Sequence, residues 1–196
     1  MKRIPLLIAI LLTLNCTFAC ADWETLRSED NVYEYTRDGV ITAYYGDVIV
    51  TMPAEIDGTK INELGVMACL DLDIHYLWVD EGIGLINTNA FEGSNLTYAD
   101  ISETVYNIGE RAFANCSELE EVALRSESIT FDKDVFAGTG HIQFDIPCTA
   151  DKQIMYEKIF DAKGDENFSF SQIHTGLVES MEEKDIYGEN MIYCED

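Results

Sequence analysis

Two interleaved series of apolar residues recur along the 196-residue chain with a single period, and that period constrains the fold more than any other feature. In the first, "LGVMAC", "INTNAF", "IGERAF" and "FDKDVF" begin at Leu64, Ile86, Ile108 and Phe131, spaced 22, 22 and 23 residues apart. Each copy opens on an apolar residue and closes on a small or β-branched one (Ala68, Ala90, Ala112, Val135) followed by a bulky or soft one (Cys69, Phe91, Phe113, Phe136). In the second, the alternating runs "YLWVDE", "TYADIS", "LEEVALR" and "HIQFDIP" read as short strands. Their inward anchors Val79, Ile101, Leu124 and Ile146 lie 22, 23 and 22 residues apart. A strand, a turn and a tight helical or irregular return cannot bury their own apolar residues, so such units must stack. Stacking predicts a parallel sheet with strands about 4.8 Å apart, and it piles Phe91, Phe113 and Phe136 into a column. The Gly, Asn and Ser residues of "EGSN", "ANCS" and "AGTG" supply the bends between strands.

A bare terminal rung exposes apolar surface, so the ends of the array should differ from its middle. "VYEYTRDGVITAYYG" alternates on both sides of Arg37-Asp38-Gly39 and reads as a β-hairpin, giving an N-terminal cap over 22–47. About five rungs of 22–23 residues then fill 48–148, the first with an extra loop from Asp57 to Lys60. In "TADKQIMYEKIF", Ile154, Tyr156, Ile159 and Phe160 fall near one helical face, which predicts a helical C-terminal cap over 149–174. The residues from 175 to 196 read as an acidic tail.

Ahead of the array, Lys2 and Arg3 precede an apolar run from Ile4 through Leu14, with small residues at Ala19 and Ala21. This is the pattern of a secretory signal peptide over 1–21, and the run is shorter than the roughly 20 residues a membrane span needs. Lipidation at Cys20 is the competing reading, and the only one that places the chain at a membrane. The formal net charge of −25, from 12 Lys and Arg against 37 Asp and Glu, repels phosphate backbones and argues against nucleic acid as a partner. Past the signal, Cys69, Cys116, Cys148 and Cys194 are left for an oxidising compartment. Cys69 and Cys116 lie two rungs apart, about 9–10 Å, beyond the roughly 7 Å reach of a disulfide, and are expected as buried thiols. Cys148 and Cys194 could pair and pin the terminus, or Cys194 could be free.

"IGERAFANCSEL" resembles the unit I-G-x-x-A-F-x-x-C-x-x-L of bacterial BspA-like leucine-rich repeats, matching at Ile108, Gly109, Ala112, Phe113, Cys116 and Leu119. "VTMPAEIDGTKINELG" is similar to the opening repeat of that family, with Met52 in place of Ile, and "IPCTADKQIMYEKIFDAKGDENFSFSQI" to its C-terminal cap, including Asn167 and Phe168. The resemblance runs from about Val32 to Ile173. It implies an α/β-type repeat solenoid: a right-handed leucine-rich-repeat superhelix of short parallel strands with the hairpin and helical caps described above. It also implies a secreted, extracellular or cell-surface protein, in some members an adhesin, with a protein or glycan ligand. A structural or spacer domain without a specific ligand is the alternative.

Residues between the inward anchors point outward and share one face. They are Tyr76, Trp78 and Asp80, then Tyr98, Asp100 and Ser102, then Glu121, Ala123 and Arg125, then Gln143 and Asp145. Exposed aromatics beside carboxylates suit a protein or glycan partner, although Tyr and Trp also favour strands for packing alone. His75, His141 and His174 have no Ser or Cys partner at a recognisable motif spacing, which gives no basis for an enzyme or for catalytic residues. "DLDIH" from Asp71 lacks the Gly and distal Glu of a calcium loop, so neither a metal nor a cofactor is expected. Asn95, Asn115 and Asn167 match the N-glycosylation pattern but, in a bacterial product, are expected as turn residues.

Overall fold

The computed structural model describes residues 25–163, 169–177 and 192–193. Its strands, in chain order, are β1 (Thr25–Arg27), β2 (Tyr33–Thr36), β3 (Val40–Tyr44), β4 (Ile49–Met52), β5 (Glu55–Ile56), β6 (Thr59–Lys60), β7 (Glu63–Leu64) and β8 (Tyr76–Val79). They continue as β9 (Leu85–Ile86), β10 (Tyr98–Ile101), β11 (Asn107–Ile108), β12 (Glu121–Leu124), β13 (Thr130–Phe131), β14 (Gln143–Ile146), β15 (Ile173–Leu177) and β16 (Ile192–Tyr193). Among the described residues, one α-helix, α1 (Lys152–Lys163), and a short 3-10 turn, Phe170–Gln172, lie between β14 and β15.

Fourteen of these strands form two seven-stranded sheets on opposite sides of one core, and β5 and β6 pair separately. The front sheet has the order β16-β15-β14-β12-β10-β8-β4, and the back sheet the order β1-β2-β3-β7-β9-β11-β13. The front strands are parallel from β4 to β15, in the register that the 22–23-residue period requires: Tyr76 faces Tyr98, Tyr98 faces Glu121, and Glu121 faces Gln143. The returns, expected to be helical or irregular, open with two-residue strands in which Leu64, Ile86, Ile108 and Phe131 stand in line, and then run on as irregular turns. A two-residue strand shows no alternation that a sequence pattern could detect.

Inside, Leu77, Ala99, Val122 and Phe144 form one buried column, and Val79, Ile101, Leu124 and Ile146 a second. The expected aromatic column is present: Phe91 and Phe113 stack at 5.3 Å and 8°, Phe113 and Phe136 at 5.7 Å and 11°. Cys69 takes the corresponding place one rung earlier, buried and free, as is Cys116. Cys116 donates its S–H to the Phe91 carbonyl at 3.1 Å, and burial pushes its thiol up to about 12. Both thiols are therefore uncharged core atoms at neutral pH.

Each return closes through two left-handed residues, again on the repeat period. Met67, Asn89, Arg111 and Asp134 occupy the first position, with φ of 58°, 58°, 58° and 57°. Asp71, Gly93, Asn115 and Gly138 occupy the second, with φ of 53°, 73°, 60° and 73°. Asn, Asp and Gly tolerate this region best, which accounts for the turn composition of most copies. Three of these residues, Asn89, Arg111 and Asn115, hydrogen-bond the carboxylate of Glu92, and Arg111 is the first cause holding that carboxyl below its usual range.

The ends are closed by different devices. At the start, the hairpin β2–β3 extends the back sheet, and its tyrosines reach across to the edge strand of the front sheet. Tyr33 Oη donates to the Thr51 carbonyl at 2.6 Å and Tyr44 Oη lies 3.4 Å from that of Ile49, which blunts an otherwise open edge. The loop from Asp57 to Lys60 belongs to a small hairpin, β5–β6, turned by Asp57 and Gly58 at φ of 48° and 78°, a pairing that suits the twist of adjoining strands. At the far end, Asp151 Oδ1 accepts from the backbone N–H groups of Gln153 and Ile154 at 2.9 and 3.0 Å and caps α1. The helix buries Met155, Ile159 and Ala162 against the last rung, while Ile154 and Phe160 stay 52% and 36% exposed. The expected face was therefore rotated, and Ile159 alone of the four expected residues is fully inside. Lys158 and Lys163 complete the cap by donating to the carbonyls of Ile129 and Gly140, each at 2.9 Å.

Candidate functional site

The outer side of the front sheet carries two adjoining groups of side chains. The first is aromatic. Tyr76 and Trp78, two apart on β8, stack at 6.2 Å, and Trp78 meets Tyr98 of β10 at 6.1 Å. All three rings are half-buried. Such amphipathic rings bind with little loss of side-chain freedom.

The second group is charged. Arg125 clamps Asp100 with two bonds, Nε to Oδ1 at 2.6 Å and a terminal nitrogen to Oδ2 at 2.5 Å. Asp100 is only 3% exposed as a result of its surroundings, although it sits on the outward-facing side of β10. Glu121 and Asp145 lie diagonally across β12 and β14 with their carboxyls facing. Burial, then the hydrogen bond and charge of Asp145, then the charge of Asp100, push Glu121 up to about 7 from 4.5. Gln143 donates to Asp145 Oδ1 at 3.2 Å, and His174 Nδ1 lies 3.8 Å from the same oxygen.

The raised carboxyl makes a signed prediction. Between the two values the folded chain holds a proton that the unfolded chain has released, so stability falls as pH rises through that window. Glu121→Gln removes this cost. Urea unfolding near pH 8 should show the variant more stable than the parent by on the order of 1 kcal/mol, after allowance for solvent screening. The difference should vanish near pH 4; a constant difference at both pH values contradicts the placement.

Of the residues expected on this face, Tyr76, Trp78 and Tyr98 form the aromatic group, and Asp100, Glu121, Arg125, Gln143 and Asp145 the charged one. Asp80 stands past the end of β8, exposed, with Ser102 Oγ donating to its carbonyl at 3.1 Å. Ala123 is buried beneath its neighbours. Sequence reasoning missed His174, which pairs in register with Asp145 because β15 extends the front sheet beyond α1. The alternation in Ile173-His174-Thr175 was the available signal. Among the described residues no group of three or more His, Cys, Asp or Glu converges as a metal site would require. Cys148 is disulfide-bonded, and its expected partner Cys194 lies outside the described residues, next to β16. The signal peptide, Cys20 and Asn167 also fall outside them.

A solenoid of stacked parallel rungs, capped at both ends and presenting one flat side-chain face, is the architecture of a repeat scaffold. A profile described as "BspA type Leucine rich repeat region" matches six copies over residues 60–177, and the chain belongs to that family. A leucine-rich repeat protein from Bacteroides capillosus superimposes with a TM-score of 0.52 at 21% identity, covering 61% of this chain and 97% of that one. The leucine-rich repeat protein TpLRR of T. pallidum aligns with a TM-score of 0.39 at 18% identity, covering 65% and 69%. The pneumococcal vaccine antigen PcpA aligns at 0.39 and 12%, covering 63% and 50%. No curated protein matches the chain. Within the described residues no helix is long and apolar enough to cross a membrane.

Proposed function

We propose that this protein is a secreted or cell-surface binding module that engages a protein or glycan partner, in the manner of an adhesin, through the outer side of its front sheet. The observation that carries this reading is the cluster of Tyr76, Trp78 and Tyr98, three half-buried rings on a rigid parallel sheet, with Trp78 6.2 Å from Tyr76 and 6.1 Å from Tyr98. Binding hot spots are enriched in such residues, and sites built on strands lose little entropy on binding. The family is consistent with an interaction module. A spacer role without a ligand draws support from Asp100 and Asp145, which the protein's own neighbouring side chains already bury.

Capture from host and microbial surface extracts separates the two readings. The parent chain should retain partners that the double variant Trp78→Ala/Tyr98→Ala loses, by tenfold or more. Tyr106→Ala, at an exposed tyrosine away from the front face, should retain them. Capture unaffected by the double variant would overturn the proposal.

A further inference from the structure

The front face is asymmetric in charge as well as in shape. Among the described residues, its outer side carries Asp80, Asp100, Glu121 and Asp145 against one permanent cation, Arg125, which Asp100 already engages. Glu121 and Asp145 are left facing each other. His174 is the other basic group beside them, and it is charged only when protonated. Two carboxyls in contact within a partly desolvated face repel when both ionise, and a positive charge placed between them relieves both the repulsion and the desolvation. The elevated titration of Glu121 reports the same deficit. Tyr98 stands in register beside Glu121, with Trp78 against its far side, and the faces of such rings attract guanidinium and ammonium groups. Across the whole chain the charge is −25, so long-range attraction favours the same sign of partner.

We infer that the front face receives a cationic protein segment, with an arginine or lysine head seated at the more accessible Glu121, over the buried Asp145 carboxyl, and a neighbouring basic side chain against Tyr98 and Trp78. This inference rests on the front face being the binding surface, and it specifies the chemistry of the partner there. Arginine fits better than lysine, because its planar fork can bond the two oxygens of the Glu121 carboxyl while its face stacks on the adjoining Tyr98 ring. Acidic proteins and nucleic acids are disfavoured on the same ground.

The test uses the full chain and fluorescein-labelled peptides that alternate glycine with arginine, lysine or glutamate, with binding read by fluorescence anisotropy at physiological salt. The arginine peptide should bind more tightly than the lysine peptide, and the glutamate peptide should not bind. Glu121→Gln/Asp145→Asn should weaken the arginine peptide by about tenfold or more. Glu110→Gln/Asp132→Asn, which removes the same charge from exposed positions on the return side, should change it less than about twofold. Equal weakening by the two double variants would show attraction to net charge alone and overturn the inference. No weakening by Glu121→Gln/Asp145→Asn would overturn it as well. Either failure leaves the binding face standing if Trp78→Ala/Tyr98→Ala still abolishes capture of surface partners; insensitivity of that capture removes the face itself.

Discussion

Replacing Phe113 with alanine should lower the unfolding free energy by about 3–5 kcal/mol, read from urea titrations followed by circular dichroism. Phe113 is fully buried and is the middle ring of a stack, 5.3 Å from Phe91 and 5.7 Å from Phe136. Its removal opens a void that the two neighbouring rungs cannot close without breaking their own hydrogen-bonded register. In a solenoid each rung is stabilised mainly by the rungs beside it, so a weak centre lowers the stability of both halves. Phe160→Ala serves as the control. That ring is 36% exposed on the outer side of α1, near Tyr156, and its loss should cost less than about 1 kcal/mol. Equal effects at the two positions would contradict the stack.

Gly109→Ala should cost about 1–3 kcal/mol, although alanine is the smallest change available. A Cβ at this position would lie 2.7 Å from the Thr88 backbone nitrogen and 2.8 Å from the Asn87 carbonyl carbon. Both are backbone atoms of the preceding rung and cannot swing aside. Gly109 therefore sets how closely two rungs approach, which gives the Ile-Gly element of the repeat a physical reason. Gly84→Ala meets a different obstacle at a similar distance, 2.6 Å from a Tyr106 ring carbon. Tyr106 is 58% exposed and can rotate away, so that variant should lose less than about 0.5 kcal/mol. Thermal melts of the two variants side by side test this contrast; a Gly84 effect as large as that of Gly109 would contradict it.

The period exposed the fold because every rung repeats the same burial problem. Val79, Ile101, Leu124 and Ile146 were readable as one inward column, and their alignment follows from counting residues. The same count placed Tyr76, Trp78 and Tyr98 on one outward face. What did not follow were features fixed by a single neighbour. Asp100 is outward by alternation yet buried, because Arg125 of the next rung folds over it. The helical cap presented Met155 and Ala162 inward in place of Ile154 and Phe160, because the last rung selects which side docks and the apolar residues of "QIMYEKIF" encircle too much of the helix to choose. β15 was hidden for a related reason. It restores the front sheet after α1 has taken the place of a return, so the period is interrupted where the strand resumes. Turn strain was partly legible, since Asn89, Asn115 and Gly138 are ordinary left-handed residues, but Met67 and Arg111 adopt the same conformation against their own preference.

Docking of a partner on the outer side of the front sheet is tested most directly by hydroxyl-radical footprinting of the chain alone and with a captured partner. Tyr76, Trp78 and Tyr98 should each lose most of their oxidation when the partner is bound, while Tyr45 and Tyr106, exposed outside the ring cluster, should be oxidised as before. Protection at Tyr45 or Tyr106 with unchanged oxidation of Trp78 and Tyr98 would place the partner elsewhere and contradict the account.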